Sequence, residues 1–343
     1  MKTLWLFSVR SYLRLALFFY FKKITTRNKE AIPEDEAVMF LGNHQNALID
    51  ALLIATQNNR FSFFLTRAAV FNNPLVGKIL ESLQMLPVYR IRDGWGNLNK
   101  NTAIFSKSAS LLSEGQAIVV FPEGNHSLRR TVRPLSKGFT RVIFETLERF
   151  PKTKIHLIPV GLNFQNATQY GDTALINFGK PIVVGASLLQ DRNSSVVNLK
   201  KDISQELRLL TTHIDSQNYN SDIAKLEALR VDFTAPEAVN KCVANKFEYS
   251  EKAFESSQSF LKKIAKLILI IQLCVPYLIW KKLVQPKIKE IEFTSTFRFA
   301  VVLTVVPVFV LLVMLILAIV FGVKCSFIYV ISVILSGLLS VKL

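Results

Sequence analysis

Two short stretches carry residue types that can do chemistry. Gly42-Asn43-His44-Gln45-Asn46-Ala47-Leu48-Ile49-Asp50 follows an apolar run that reads as a strand, and Phe121-Pro122-Glu123-Gly124-Asn125-His126-Ser127 follows another. Ligands of α/β sheets gather at such places, outside the carboxyl ends of strands. A histidine whose Nδ1–H is bonded to a carboxylate is held in one tautomer, with Nε2 free to accept a proton. Near neutral pH it can deprotonate a hydroxyl as that hydroxyl attacks a carbonyl. His44 and Asp50 are six positions apart. On one continuous helix they would point about 120° apart, so they meet only if His44 lies in the loop and Asp50 in the helix that follows. Taken alone, a pair at this spacing reads by default as loop packing or a helix-dipole partner.

The second stretch gives a turn with an acid and exposed amides, and Arg129, Arg130, Arg133 and Lys137 follow closely. This is a place for an anion if the helix expected over residues 137–150 offers its N-terminus nearby. The other reading is a solvated or membrane-facing basic patch. His126 reads as a loop residue rather than a second base.

Positioning these residues requires a layered scaffold. From about residue 37 to 185, short apolar runs alternate with helical stretches, the pattern of an α/β domain. Strands are expected over residues 37–41, 61–66, 117–121, 155–164 and 174–178, and helices over 47–56, 74–83, 102–112 and 137–150. Gly115 has the place of a C-cap glycine after the third of these helices. Residues 194–262 are charged and mostly helical in pattern and read as an arm between this domain and the membrane.

Both ends of the chain point to a bilayer. Residues 1–30 place seven basic residues before the first acid, Glu30, and Arg10 and Arg14 interrupt the apolar run. An amphipathic helix lying in the membrane interface is expected there, with an ordinary packed helix as the alternative. Within residues 263–343, the uncharged stretch 299–321 is long enough to cross a hydrocarbon core of roughly 30 Å. Residues 325–341 are shorter and also uncharged, so the two predict a tight hairpin. Residues 267–280 contain Pro276 and are short for a span, which favours a re-entrant or interfacial helix. Lys281, Lys282, Lys287, Lys289 and Arg298 crowd the loop before the hairpin, and the positive-inside rule puts them, and the catalytic domain, on the cytoplasmic side. The net charge of +17 suits an anionic membrane surface or phosphorylated substrates. No nucleic-acid-binding module is recognisable. The three cysteines are scattered, without CxxC spacing, so neither a disulfide framework nor a zinc site is expected.

Together the motifs resemble the glycerolipid acyltransferase superfamily, which includes glycerol-3-phosphate and 1-acylglycerol-3-phosphate acyltransferases. The blocks run in that family's order over residues 33–185: Asn43-His44…Asp50, Leu86-Pro87-Val88-Tyr89-Arg90, Phe121-Pro122-Glu123-Gly124 and Ile158-Pro159-Val160-Gly161, with Phe178-Gly179-Lys180-Pro181-Ile182 behind them. Two departures stand out. Five residues separate His44 from Asp50 where most members have four, a spacing like that of the fungal-type glycerol-3-phosphate acyltransferases. The Arg block begins Gln84-Met85 where many members have Gly.

The resemblance implies an α/β fold, a mixed sheet flanked by helices, with the helical arm and membrane hairpin appended. It implies His44 as general base, Asp50 as its orienting carboxylate and Arg90 as the ligand of the acceptor phosphate. Glu123 and Gly124 would shape the acceptor site, Pro159 its wall or that of the acyl channel, and Arg67 is a further candidate phosphate ligand, or else a surface arginine. The donor would be an acyl thioester, acyl-CoA or acyl-carrier protein, attacked directly by a hydroxyl of glycerol 3-phosphate or 1-acylglycerol 3-phosphate. No metal or cofactor is then needed. The alternatives are a lysophospholipid or amino-lipid acceptor, and a non-catalytic lipid-binding member. A serine hydrolase would need a Gly-x-Ser-x-Gly elbow, which the sequence lacks.

Overall fold

Strands buried on both faces must be apolar nearly throughout, and Ala37–Gly42, Ala117–Val120 and Ile155–Phe164 meet that requirement with almost no exposed position. The computed structural model describes residues 1–89, 101–215, 217–248, 253–254 and 259–343. Its helices in chain order are α1 (Lys2–Tyr20), α2 (Ala47–Gln57), α3 (Pro74–Ser82), α4 (Asn101–Ser113), α5 (Gly138–Arg149), α6 (Arg192–Leu210), α7 (Tyr219–Ala228), α8 (Pro236–Ala244), α9 (Phe260–Gln272), α10 (Cys274–Leu278), α11 (Thr294–Phe321) and α12 (Val323–Lys342). Its strands are β1 (Lys23–Arg27), β2 (Ala37–Gly42), β3 (Ser62–Arg67), β4 (Met85–Val88), β5 (Ala117–Val120), β6 (Ile155–Phe164), β7 (Thr173–Phe178) and β8 (Ile182–Val184).

The strands form one mixed sheet in the order β1-β7-β6-β2-β5-β3-β4, with β8 pairing the start of β6. β2 lies centrally, parallel to both β5 and β6. Alternate residues of each strand feed two separate cores. Val38, Phe40, Val119, Ile158 and Val160 face α1, α2 and Phe299 of α11. Met39, Leu41, Ile118 and Leu157 face α5 and α6, through Phe139, Ile143, Ile203 and Leu207. The expected strands and helices of the domain are all present. β1, β4 and β8 are additional, being short or lying in polar sequence.

Two segments pack differently from the sequence reading. The segment 1–30 is not a helix throughout: after α1 it enters the sheet as β1, parallel to β7. The arginines that interrupt the apolar run of α1 point into the protein. Arg10 donates to the carbonyls of Ala55 (2.8 Å), Asn58 (3.1 Å) and Arg60, and Arg14 to Thr56 (2.8 Å). They serve the carbonyls at and just beyond the C-terminal end of α2, where cations are favoured. Leu17, Tyr20 and Phe21 are buried, while Leu4, Trp5, Phe7, Leu15 and Phe18 stay exposed.

The second segment is the expected arm. Its first helix, α6, packs on the sheet as part of the domain core. Only the chain from Ile214 onwards makes a small cluster of its own, through Leu226, Val231, Phe233, Val239 and Cys242.

At the C-terminus, α11 and α12 are long and apolar enough to cross a membrane and meet at Gly322, whose φ is +82. The stretch before them is a helix pair, Phe260–Gln272 and Cys274–Lys287, bent by 95°.

The inward arginines generate a prediction. Arg10 is 8% exposed, so Arg10→Met leaves buried carbonyls without their donor and should cost about 2–3 kcal/mol. A thermal melt of the purified chain should fall by several degrees. An unchanged melt would mean that α1 is only loosely attached.

Candidate functional site

Every strand that ends at the top of the sheet delivers a loop, and β2 delivers His44. Asn43 extends the β2–β6 pairing past the last strand residue: its Oδ1 accepts from Leu162 N (2.7 Å) and its Nδ2 donates to Leu162 O (3.0 Å). Asn46 Nδ2 donates to Ala167 O (2.9 Å), and His44 O accepts from Ser127 N (3.0 Å). The loop is thereby clamped from three sides. It turns into α2 through Ala47, a non-glycine residue with φ +43, a left-handed conformation costing roughly 1–2 kcal/mol. The fifth residue between His44 and Asp50 is accommodated at this loop-to-helix junction.

Asp50 falls in the first turn of α2 and is fully buried. Its Oδ2 accepts from Asn46 N (2.7 Å) and lies 2.8 Å from His44 Nδ1. His44 is in the loop and 19% exposed, and its Nε2 makes no hydrogen bond among the described residues. The geometric condition set by the six-residue separation is met.

The His44 ring stacks on Phe121, with centroids 4.1 Å apart and planes at 15°. Gly42 permits this, because a Cβ there would lie 3.0 Å from the Phe121 ring. His126 stands nearby, 5.8 Å away between ring centroids with the planes at 32°. Burial, reinforced by His44, holds His126 below the ordinary histidine range, with Glu292 and Glu290 opposing. Its Nε2 is 3.3 Å from Glu290, and Phe293 meets its ring edge-on at 4.5 Å. Thr296 Oγ1 accepts from Leu48 N (3.2 Å) in the first turn of α2. Residues from the base of the apolar hairpin therefore complete the surroundings of His44. Their long separation in sequence gave no signal of this, and neither did any motif.

The second motif works mainly on its own loop. Glu123 is buried and paired to Arg133, whose N and Nε donate to its two carboxylate oxygens at 3.2 and 3.0 Å. Burial raises the Glu123 carboxyl above the usual range, and the Arg133 charge and hydrogen bonds pull it down. Gly124 takes φ +73 with open space around it. Arg130 donates to Phe164 O and Gln165 O, both at 2.9 Å. Arg130 and Arg133 are thus engaged inside the protein, and the expected anion site of four loop cations is reduced to Arg129, which lies over the Tyr219 ring, and the exposed Lys137. The small cluster after Ile214 latches this loop: Ile214 N donates to Arg130 O, and His213 Nδ1 accepts from Val132 N.

Arg67 ends β3, exposed, beside Val88 of β4. Arg90 lies outside the described residues. Pro159 is inside β6, paired with Leu41 and next to Gly179, where Leu210 of α6 packs. That is a position within the sheet, on the α6 side.

Residues 23–163 match the family model described as Acyltransferase. Among curated proteins, glycerol-3-phosphate O-acyltransferases 1 and 2 of Saccharomyces cerevisiae are 23% identical over 106 residues and 25% identical over 115 residues. These stretches cover 31% and 32% of this chain but only 14% and 16% of those proteins. An uncharacterized acyltransferase of Schizosaccharomyces pombe is 29% identical over 83 residues, 24% of this chain and 12% of its own length. Among solved structures, the 1-acyl-sn-glycerophosphate acyltransferase of Thermotoga maritima aligns over 60% of this chain and 81% of its own, with TM-score 0.42 and 18% identity.

The buried Glu123–Arg133 pair makes a pH-dependent prediction. A carboxyl whose folded pKa is raised contributes stability below its unfolded value and loses it as pH rises through the folded one. Arg133→Met removes the compensating charge and raises Glu123 further. The variant should lose about 3–5 kcal/mol at pH 8 and distinctly less at pH 5. Melting curves at the two pH values decide this, and equal losses would assign Arg133 a packing role only.

Proposed function

We propose that the acyltransferase-family domain of this chain transfers a fatty acyl group from an acyl thioester to a hydroxyl of a phosphate-bearing glycerol acceptor, glycerol 3-phosphate or its 1-acyl derivative. The observation that carries this reading is the His44–Asp50 pair, 2.8 Å apart at the carboxyl end of the central strand. Asp50 holds the proton of His44 on Nδ1. Nε2 takes the proton of the acceptor hydroxyl as that oxygen attacks the thioester carbonyl. The developing imidazolium is stabilised by the buried carboxylate. Collapse of the tetrahedral intermediate breaks the carbon–sulfur bond, and the thiolate leaves with the proton carried by His44. The products are an ester and a free thiol, with His44 returned to its starting form.

The names of the yeast relatives favour glycerol 3-phosphate as acceptor. Arg90 and Arg67 are the proposed phosphate ligands. Arg67 ends β3 beside Val88, two residues ahead of Arg90.

A membrane location is part of the same reading. Arg298 is the last charge before about 23 uncharged residues, enough for roughly 30 Å of hydrocarbon. Phe293, five residues earlier, touches His126 beside His44. His44 would then work at the level of the interface, where acyl chains are available. The lysines before the hairpin favour the cytoplasmic face.

The test is acceptor-dependent thiol release from acyl-CoA or acyl-carrier protein by detergent-solubilised protein, with glycerol 3-phosphate and 1-acylglycerol 3-phosphate offered separately. His44→Ala should reduce kcat by at least about 10³-fold, and Asp50→Asn by at least about 10²-fold, each in protein that a melt shows to be folded. Retained turnover in His44→Ala would overturn the mechanism. Arg90→Ala should raise the acceptor KM with little change in kcat. A loss confined to kcat would remove Arg90 from phosphate binding.

A further inference from the structure

The net charge of +17 is not all directed at a membrane. A cleft of about 410 Å³ lies between the first half of α5 and the first half of α6, within the roughly 300–1,000 Å³ range of small-molecule sites. Lys137, Arg141, Arg192 and Lys200 rim it, no carboxylate lines it among the described residues, and Val196 and Val197 give it an apolar side. Arg192 is partly committed, bonded to Glu148 at 2.6 Å and stacked over the Phe144 ring at 4.7 Å. Lys137, Arg141 and Lys200 make no ion pair among the described residues. Such a concentration of like charge is self-repelling and is relieved by an anion bound between the two helices.

Its place in the fold says what kind of anion. α5 and α6 cover one face of the sheet, while α1, α2 and the base of the apolar hairpin cover the other. The cleft therefore lies across the sheet from the elements that carry the exposed apolar surface, and it opens to water. A lipid headgroup held in a bilayer on the hairpin side is on the wrong face. The cleft is nevertheless connected to the site. Lys137 follows Ser136, whose N–H donates to Pro122 O at 2.8 Å, and Pro122 follows the Phe121 ring that stacks on His44.

We infer that this cleft binds the phosphorylated adenosine of coenzyme A, with the cationic rim on its phosphates and the apolar side formed by Val196 and Val197 against the base, so that the pantetheine arm runs past Pro122 to bring the thioester to His44. The inference rests on the acyl-transfer reading and deepens it by naming the donor carrier. An acyl-carrier protein presents no adenosine and would gain nothing from the apolar side.

The test uses the full-length chain in detergent micelles. In turnover, the combined substitution Lys137→Glu, Arg141→Glu and Lys200→Glu should raise the KM for acyl-CoA at least tenfold, leaving kcat and the acceptor KM within about twofold. Adenosine 3′,5′-bisphosphate should compete with acyl-CoA in the unsubstituted protein. An unchanged acyl-CoA KM overturns the inference, as does a defect seen with acyl-carrier protein instead. Lys137 and Arg141 are exposed and Lys200 is half-buried, and a melt checks that the fold is kept. A second arm needs no turnover: equilibrium dialysis of adenosine 3′,5′-bisphosphate against His44→Ala protein, with and without the charge reversals. Binding lost on reversal supports the cleft, and binding that survives reversal, or is absent from both, overturns it. If thiol release fails altogether, this arm still judges the cleft while the acyl-transfer reading falls by itself.

Discussion

The 2.8 Å contact between His44 Nδ1 and Asp50 Oδ2 is the constraint around which the rest of the structure is arranged. It joins a loop residue to a helix residue six positions on, so the turn between them has one acceptable shape. That shape puts Ala47 in the left-handed region, and an isolated peptide would not stay there. The clamps from Asn43 to β6, from Ser127 to His44 O and from Asn46 to Ala167 hold the turn against its strain, as is usual where local backbone cost persists at a functional site. Asp50 adds its own contribution by accepting from Asn46 N at the positive end of α2.

Those clamps reach the His44 loop from far along the chain, and this explains the order of the remaining elements. β6 must be long because it serves β2 on one side and both β7 and β8 on the other. Helix α6 returns along the sheet to bring Leu210 O and Thr212 N to the Asn163 side chain, and from there the cluster from Ile214 onwards supports the loop of Glu123 and Arg133. The base of α11 closes the ring through Thr296, Phe293 and Glu290. The apolar hairpin is thus tied to the His44 loop by directional contacts as well as by chain connectivity.

The sheet also separates two environments. One face carries α1 and the hairpin with their exposed Leu, Phe and Ile side chains, and the other carries α5 and α6 with exposed Lys and Arg. His44, at the end of the central strand, lies at the boundary. The acyl transfer proposed above joins a water-soluble partner to an apolar chain and needs access from both, which a base at the rim of a two-faced sheet would have.

The sequence by itself determined the α/β class, five of the eight strands with their intervening helices, and the hairpin. These rest on local information: apolar runs of strand length and helix stop signals such as Gly115. The spacing of His44 and Asp50 only permitted a pair across a loop-to-helix junction, and the folded turn makes it. Only the tertiary structure decided the rest. Arg10 and Arg14 look like breaks in an interfacial helix until the carbonyls ending α2 are brought to them. Arg130 and Arg133 look like anion ligands until Phe164, Gln165 and Glu123 claim their donors. β1 carries too little apolar character to be seen before β7 pairs with it. Phe293 and Thr296 belong to the surroundings of His44 although more than 200 residues separate them from it in the chain. In each case the deciding partner is distant in sequence, and a charged or polar side chain does not reveal whether its hydrogen bonds will be made to water or to the protein.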